Sequence, residues 1–206
     1  GLVKIDSFAG PSDVIIVANE QANPAWVAAD MLSQAEHAPG AALLLTDSAK
    51  LAEATIAELE VQLKRLSRVK ETEKCLLAHS AVIITKDLDE AIAFANDFAA
   101  EHLEIHCGDL SGDVEKKIIN ADAIFIGDYT PVAVGDYIAG PSHTLPTRCT
   151  SKFFSALTCN DFLKSSSLIN YTKQNLQRDA QDIMRIAHTE GLDAHAKSVE
   201  KRLEQN

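Results

Sequence analysis

The stretch "VIIVANEQANPAWVAADMLSQAEH", residues 14–37, joins a buried-strand pattern to a helix pattern. Its first part, "VIIVA" (14–18), is a short apolar run rich in β-branched residues, which is typical of a strand covered on both faces. The following segment opens with Asn23 as a helix cap and Pro24 at the first helical position. The stretch therefore predicts a strand followed by a crossover helix, the unit from which parallel α/β sheets are built.

The same alternation recurs along most of the chain. Helical apolar spacing is present in residues 48–66 and 87–100. From about residue 129 the pattern gives way to a loop region rich in Gly, Pro, Ser and Thr, and the last 36 residues or so indicate two helices broken at Glu190–Gly191. The further predicted strands are "ALLLT" (42–46), "AVIIT" (81–85), "HLEIH" (102–106), "AIFIG" (123–127) and "SLINY" (167–171).

These patterns predict an α/β fold in which an incomplete Rossmann-like parallel sheet is flanked by helices. We expect residues 1–160 to form this domain and residues 161–206 to form a small C-terminal helical appendage. The last helix should dock on another surface, for which a partner subunit is the candidate, because it carries an apolar stripe. The stripe consists of Leu192, Ala196, Val199 and Leu203.

Composition narrows the classes of function. With 206 residues, of which 46% are hydrophobic, the chain is long enough for one substantial core. Its formal charge of −11 repels phosphate backbones, so we expect no nucleic-acid partner. The four cysteines lack CxxC spacing, which favours reduced thiols in a cytoplasmic protein, and no apolar run predicts a membrane span. The start at Gly1 suggests a processed or split chain.

Two groups of residues are candidates for chemistry. Asp30, Gln34 and His37 fall on one face of the first predicted helix, which is either a solvated stripe or a ligand-binding face. Glu101 and His102 are adjacent where a helix gives way to a strand. A carboxylate and an imidazole at such a junction can both accept protons near neutral pH, although many Glu–His dipeptides have no such role.

Two weaker candidates lie in the C-terminal part. The loop "GDYIAGPSH" (135–143) contains Asp136, Ser142 and His143 together with two glycines and a proline, which can bring the backbone close to a ligand; a structural turn is the alternative. His195 lies beside the apolar stripe of the last helix, where a core or interface histidine is the alternative.

Four segments, taken together and in this order, resemble the second half of histidinol dehydrogenase. They are "IDSFAGPSDVIIVANEQANPAWVAADMLSQAEH", "AAEHLEI", "ADAIFIGDYTPVAVGDYIAGPSHTLPT" and "EGLDAH". The resemblance implies oxidation of L-histidinol to L-histidine through histidinal in two NAD-dependent steps, by a zinc-containing homodimer that acts in histidine biosynthesis. One departure from the family is Arg148–Cys149, where small residues including Gly are more frequent.

The resemblance also implies roles for individual residues. Glu101 and His102 correspond to the family's catalytic proton-transfer pair, with His102 suited to the alcohol step and Glu101 to activating water. The implied zinc ligands are Gln34, His37, Asp136 and His195, and these residues together with His102 also belong to the substrate site. Further substrate contacts are Ser12, His143 and Glu190, of which Glu190, like His195, is expected to be supplied in trans.

The NAD site is implied by the resemblance alone, because no motif in this sequence indicates it. The sequence has no G-x-G-x-x-G, and the resemblance places the NAD-binding residues largely in an N-terminal half that this sequence lacks. We therefore expect that half to be carried by a second chain or by the intact protein. The alternative is a non-catalytic zinc-binding or interaction fragment.

Overall fold

The computed structural model describes residues 5–204, which form two units. The first unit ends at Phe162 and the second begins at Leu163. Within the described part of the first unit, five parallel strands form one open sheet in the order β3-β2-β1-β4-β5. The strands are β1 (Ser12–Ala18), β2 (Gly40–Thr46), β3 (Ala81–Ile84), β4 (His102–His106) and β5 (Ala123–Ile126).

This strand order confirms the predicted Rossmann-like sheet, because it reproduces five of the six positions of the doubly wound order 3-2-1-4-5-6. Short 3-10 turns occur at Gly108–Leu110, Thr150–Lys152 and Cys159–Phe162. The helices of the first unit are α1 (Pro24–Ala35), α2 (Ala49–Leu63), α3 (Val69–His79), α4 (Leu88–Phe98), α5 (Ser111–Glu115) and α6 (Val132–Tyr137).

The central strand β1 is apolar along its length because helices cover both faces of the sheet. Residues 14–18 are all fully buried. Val14 and Ile16 belong to the core cluster that contains Val27 and Met31 of α1, whereas Ile15 and Val17 belong to the cluster that contains residues of α4. Alternate side chains therefore enter two separate cores, as the pleat of a strand requires.

Helix α1 begins as the sequence predicts. The Asn23 side chain accepts a hydrogen bond of 2.9 Å from the backbone N–H of Ala25, and Pro24 is the first helical residue. The helix ends at Ala35, so the expectation that His37 lies on the helix is wrong. His37 instead follows in a turn, in which its N–H donates to the Gln34 carbonyl at 3.3 Å.

Two elements differ from the sequence-based expectation. The strand predicted for 167–171 does not form, and Leu168 is 97% exposed. An apolar run without a partner strand gains no ladder hydrogen bonds, so composition alone does not make it a strand. Helix α3 was not predicted, because it buries only Thr72 and Cys75 and thus has little apolar periodicity to reveal it.

The second unit contains the two predicted helices, α7 (Lys173–Thr189) and α8 (Asp193–Leu203), which pack on each other. The break falls at Gly191, whose φ of +72° suits glycine. Its N–H donates to the His188 carbonyl, and the N–H of Leu192 donates to the Ala187 carbonyl at 2.8 Å. This pair of hydrogen bonds is a Schellman motif. Docking of this unit on a partner subunit stays a prediction.

The helices described between residues 5 and 204 include none with the length and apolar character that a bilayer crossing requires.

Candidate active site

The candidate site lies at the amino edge of the sheet, where β1 and β4 begin side by side. Ser12 is the first residue of β1, and Glu101 directly precedes His102, the first residue of β4. The parallel register pairs Val14 with His102, so residues 88 to 90 positions apart in sequence become neighbours. Helix α1 runs back from the carboxyl edge, which returns Gln34 to the same end of the sheet.

A cavity of about 310 Å³ opens at this edge, and we call it the amino-edge cavity. Its volume is near the lower end of the range for small-molecule sites. Seven of the nine site residues expected from the sequence line it, together with Val132 and Tyr137. The seven are Ser12, Gln34, His37, Glu101, His102, Asp136 and His143.

The other two expected residues belong to the second unit. Glu190 directly follows α7 as its C-cap, and His195 lies in the first turn of α8. Both side chains are exposed. Their roles as substrate contact and metal ligand stay predictions.

Glu101 is held by a residue that sequence reasoning missed. The Asp13 carboxylate accepts a hydrogen bond of 2.7 Å from the Glu101 backbone N–H, and the Asp13 N–H donates to Glu101 Oε2 at 3.2 Å. Asp13 is 6% exposed, and burial raises its pKa to about 6. Its position next to Ser12 in "AGPSDV" was the available signal, but only the pairing of β1 with β4 makes it a partner of Glu101.

His102 is fixed in one tautomer by its main hydrogen bond. Its Nδ1 lies 3.2 Å from the Asp13 backbone carbonyl, which can only accept. Nδ1 must therefore carry the hydrogen, and in the neutral ring Nε2 is left able to accept a proton. The ring is 5% exposed and its Nδ1 lies 3.8 Å from Glu101 Oε2, so the two candidate proton acceptors are in contact.

A third carboxyl group, that of Asp122, interacts with Glu101 and Asp13. Burial, followed by the charges of Glu101 and Asp13, raises the pKa of Asp122 to about 7. Asp122 and His102 both line a neighbouring cavity of about 260 Å³, to which Asp136 also contributes. This concentration of carboxylates favours cationic ligands.

Asp136 reaches the cavity because α6 packs closely against β5. A Cβ added at Gly135 would lie 2.7 Å from the Phe125 ring, so only glycine allows this approach without a shift. The neighbouring residue Asp136 then lines the cavity together with Gln34 and His37. Glycine at position 135 is thus a packing requirement for the site.

The donors at the cavity suit a divalent metal ion. Gln34 is 3% exposed and lines the cavity beside His37 and Asp136. An amide oxygen, an imidazole nitrogen and a carboxylate oxygen form a set of donors that zinc accepts. These residues therefore fit the ion that the resemblance implies.

A second group with metal-binding chemistry lies deeper in the fold. Asp30, Glu104 and His106 each place one ligand atom within 4.8 Å of the others. The Nε2 atom of His106 lies 3.4 Å from Glu104 Oε2 and 3.8 Å from Asp30 Oδ2, and its Nδ1 lies 3.6 Å from Asp128 Oδ1. Sequence reasoning placed Asp30 on the face of Gln34 but missed the two strand residues.

Burial and neighbouring charges shift the pKa values of this deeper group. Burial, followed by the charge of Glu104, raises the pKa of Asp30 to about 7. Burial alone would lower the pKa of His106, but the hydrogen bond and charge of Glu104, with Asp30 and Asp128, raise it above its usual value. A buried imidazole among three carboxylates is thus favoured in its protonated form.

The departure at Arg148–Cys149 has a conformational consequence. Arg148 has φ of 57° and Cys149 has φ of 62°, both in the left-handed region. Glycine adopts this region at little cost, whereas other residues are strained in it. The structure thus places two non-glycine residues where the backbone favours glycine.

Comparisons with known proteins agree on one family. A family model described as histidinol dehydrogenase matches residues 1–203. The histidinol dehydrogenase of Desulfotalea psychrophila is 51% identical over 204 residues, which cover 98% of this chain and 47% of that protein. The corresponding protein of a Synechococcus species is 48% identical over 203 residues, covering 98% of this chain and 46% of the relative.

A solved structure gives the same result. The crystal structure of histidinol dehydrogenase from Elizabethkingia anophelis superposes with a TM-score of 0.89 at 34% identity, covering 97% of this chain and 46% of that one. The chain spans about half the length of these relatives, and the matched part is their C-terminal half. On the family match and these similarities, the chain belongs to the histidinol dehydrogenase family.

Proposed function

We propose that this chain supplies the zinc-binding and proton-transfer half of a histidinol dehydrogenase. The proposed reaction is the two-step, NAD-linked oxidation of L-histidinol to L-histidine through histidinal, in the cytoplasm, at the end of histidine biosynthesis. The observation that carries the proposal is the amino-edge cavity, which collects seven of the nine residues expected from the family resemblance. Family membership supports the same assignment.

In the alcohol step, His102 is the proposed base. Its Nε2 accepts the hydroxyl proton while the carbinol carbon loses hydride. The Nδ1–H that points to the Asp13 carbonyl keeps the ring in the reactive tautomer. The nearby Glu101 carboxylate stabilises the imidazolium that forms, since its Oε2 lies 3.8 Å from Nδ1.

In the aldehyde step, Glu101 is the proposed base. Its carboxylate removes a proton from the water that adds to the aldehyde carbon, and the resulting hydrate loses the second hydride to give the carboxylate product. The hydrogen bond from the Asp13 N–H holds one carboxylate oxygen in place. Burial around the pair limits competing contacts with bulk water, because Glu101 is 7% exposed.

The metal is proposed to be held by Gln34, His37 and Asp136, with His195 as the fourth ligand. When bound, zinc supplies orientation and polarisation of the substrate without accepting electrons. Ser12, His143 and Glu190 are proposed substrate contacts. Supply of Glu190 and His195 by a second copy would make the active form a homodimer.

NAD is the proposed hydride acceptor, and its site is assigned to the part of the family that this chain does not match. The turn after β1 reads "NEQAN" (19–23) and has no glycine that would let a pyrophosphate approach the backbone. The carboxyl edge of this sheet thus lacks the usual dinucleotide fingerprint. The complementary half of the relatives is proposed to provide the binding residues.

The test combines this chain with that complementary half. The 206-residue chain is co-expressed with the N-terminal half of the Desulfotalea psychrophila relative, and zinc content and NADH formation from L-histidinol are measured. We expect one zinc per chain and two NADH per histidinol. Because Glu101 is the proposed base of the aldehyde step, Glu101→Gln should lower steady-state NADH formation about 10²- to 10⁴-fold. The matched control Glu53→Gln, on the exposed side of α2, should leave it unchanged.

Two other outcomes would contradict the proposal. Zinc binding without turnover in a stable complex would favour a non-catalytic zinc-binding module. Absence of both zinc and turnover would reject the metal site and the activity together.

A further inference from the structure

Glu104 is a fully buried carboxylate that the proposed chemistry does not use. It lies at the centre of β4, between His102 and His106, and alternation along the strand puts all three on one face of the sheet. Its side chain is 0% exposed. A carboxylate so placed needs partners, because an uncompensated buried charge is costly.

One oxygen of Glu104 satisfies the beginning of α6. Its Oε1 accepts a hydrogen bond of 3.0 Å from the backbone N–H of Val132, the first residue of that helix. The residue before it, Pro131, makes no side-chain capping bond. Glu104 therefore caps the N-terminus of α6, although it lies on a strand distant in sequence. Its negative charge also interacts favourably with the positive end of the helix dipole. Asp136 lies one turn further along α6.

The other oxygen of Glu104 contacts His106, which in turn contacts Asp30 on α1. Its Oε2 lies 3.4 Å from His106 Nε2, and the same nitrogen lies 3.8 Å from Asp30 Oδ2. Asp30 lies on α1, one turn before Gln34. These contacts thus connect α6 to α1 through β4. Helix α6 carries the proposed ligand Asp136, and helix α1 carries the proposed ligand Gln34.

We propose that Glu104 is a positioning residue that, with His106 and Asp30, holds α6 and α1 in register across β4 and so sets Asp136 against Gln34. This inference rests on the proposed function, because it treats Asp136 and Gln34 as metal ligands. The effect of Glu104 passes through the Val132 backbone and through His106.

The experiment uses the same co-expressed complex, with zinc replaced by cobalt so that the absorption spectrum reports ligand geometry. Glu104→Ala should lower cobalt affinity about 10- to 100-fold, the usual effect of losing a residue that orients metal ligands, and should change the spectrum. Glu104→Gln keeps an oxygen able to accept from the Val132 N–H. It should therefore restore most of the affinity and the original spectrum.

A second variant removes the donor and leaves Glu104 in place. Val132→Pro deletes the N–H at the first helical position, where proline suits a helix. Like Glu104→Ala, it should weaken cobalt binding. If Glu104→Ala does not fold, Val132→Pro provides the test of the positioning role. The matched control is Ile105→Ala, which empties buried volume on the opposite face of the same strand. It should lower the Tm without changing the cobalt spectrum.

The outcomes separate this inference from the proposed function. If the unsubstituted complex binds no cobalt, the proposed function fails and the inference fails with it. If that complex binds cobalt and the folded Glu104→Ala or Val132→Pro variants show the same affinity and spectrum, only the positioning role is overturned. A second cobalt equivalent that is lost in both Glu104 variants would replace positioning with direct metal binding by the deeper group.

Discussion

Replacing Asp13 by Asn should change how the free energy of unfolding depends on pH. The substitution is nearly isosteric, and the Asn side-chain oxygen can still accept the 2.7 Å hydrogen bond from the Glu101 N–H. The backbone N–H that donates to Glu101 is unaffected. The variant thus removes the ionisation of Asp13 and leaves its main hydrogen bonds in place.

The magnitude follows from the pKa of Asp13 in the fold. Burial raises this pKa from 3.8 to about 6, so the folded protein binds the proton more tightly than the unfolded chain. The stability contributed by the neutral carboxyl is therefore complete below about pH 4 and is lost as the pH rises through about 6. A shift of about two units at about 1.4 kcal/mol each amounts to roughly 3 kcal/mol.

The assay is urea unfolding of the metal-free chain at several pH values between about 4 and 8. The stability of Asp13→Asn relative to the unsubstituted chain should rise by roughly 3 kcal/mol across this range, because the variant has no carboxyl to ionise. The control is Asp109→Asn, at an exposed position. A difference between Asp13→Asn and the parent that stays constant with pH would refute the reasoning.

Three further predictions concern catalysis, the core and a helix cap. Glu101→Gln in the co-expressed complex should lower NADH formation about 10²- to 10⁴-fold at unchanged zinc content; loss of zinc would point to a structural role instead. Leu103→Ala, at a core position 1% exposed, should cost about 2–5 kcal/mol in urea unfolding, and a cost below about 1 kcal/mol would contradict the burial. Asn23→Ala should cost about 1 kcal/mol by the same measurement, whereas Asn23→Asp should be nearly neutral, since both residues cap helices well.

The sequence was most informative where local chemistry and tertiary environment agree. The run at 14–18 predicts a buried strand because both of its faces are covered, and Asn23–Pro24 predicts a helix start because capping involves only neighbouring residues. The break at Gly191 is equally local, since its two hydrogen bonds close within one turn. The run at 167–171 has the composition of a strand, but it has no partner strand in the described part of the chain. Amino-acid composition alone does not show whether a partner strand is present.

The residues of the candidate site likewise fall into those that the sequence suggested and those that only the structure revealed. Motif order was enough to suggest which residues belong to it, including Gln34, Glu101 and Asp136, and the structure describes a cavity that all three line. Motifs did not reveal Asp13 or Glu104. The first depends on β1 pairing with β4, and the second on a hydrogen bond to a backbone N–H 28 residues away.

The sequence by itself determined the alternation of strands and helices, the first helix cap and the family to which the chain belongs, because these depend on neighbouring residues and on the order of motifs. Only the tertiary structure decided which edge of the sheet holds the cavity, which tautomer His102 adopts and which carboxyl groups have a raised pKa. The physical reason is that burial and hydrogen bonding act between side chains brought together by strand order, and strand order joins residues that are far apart along the chain.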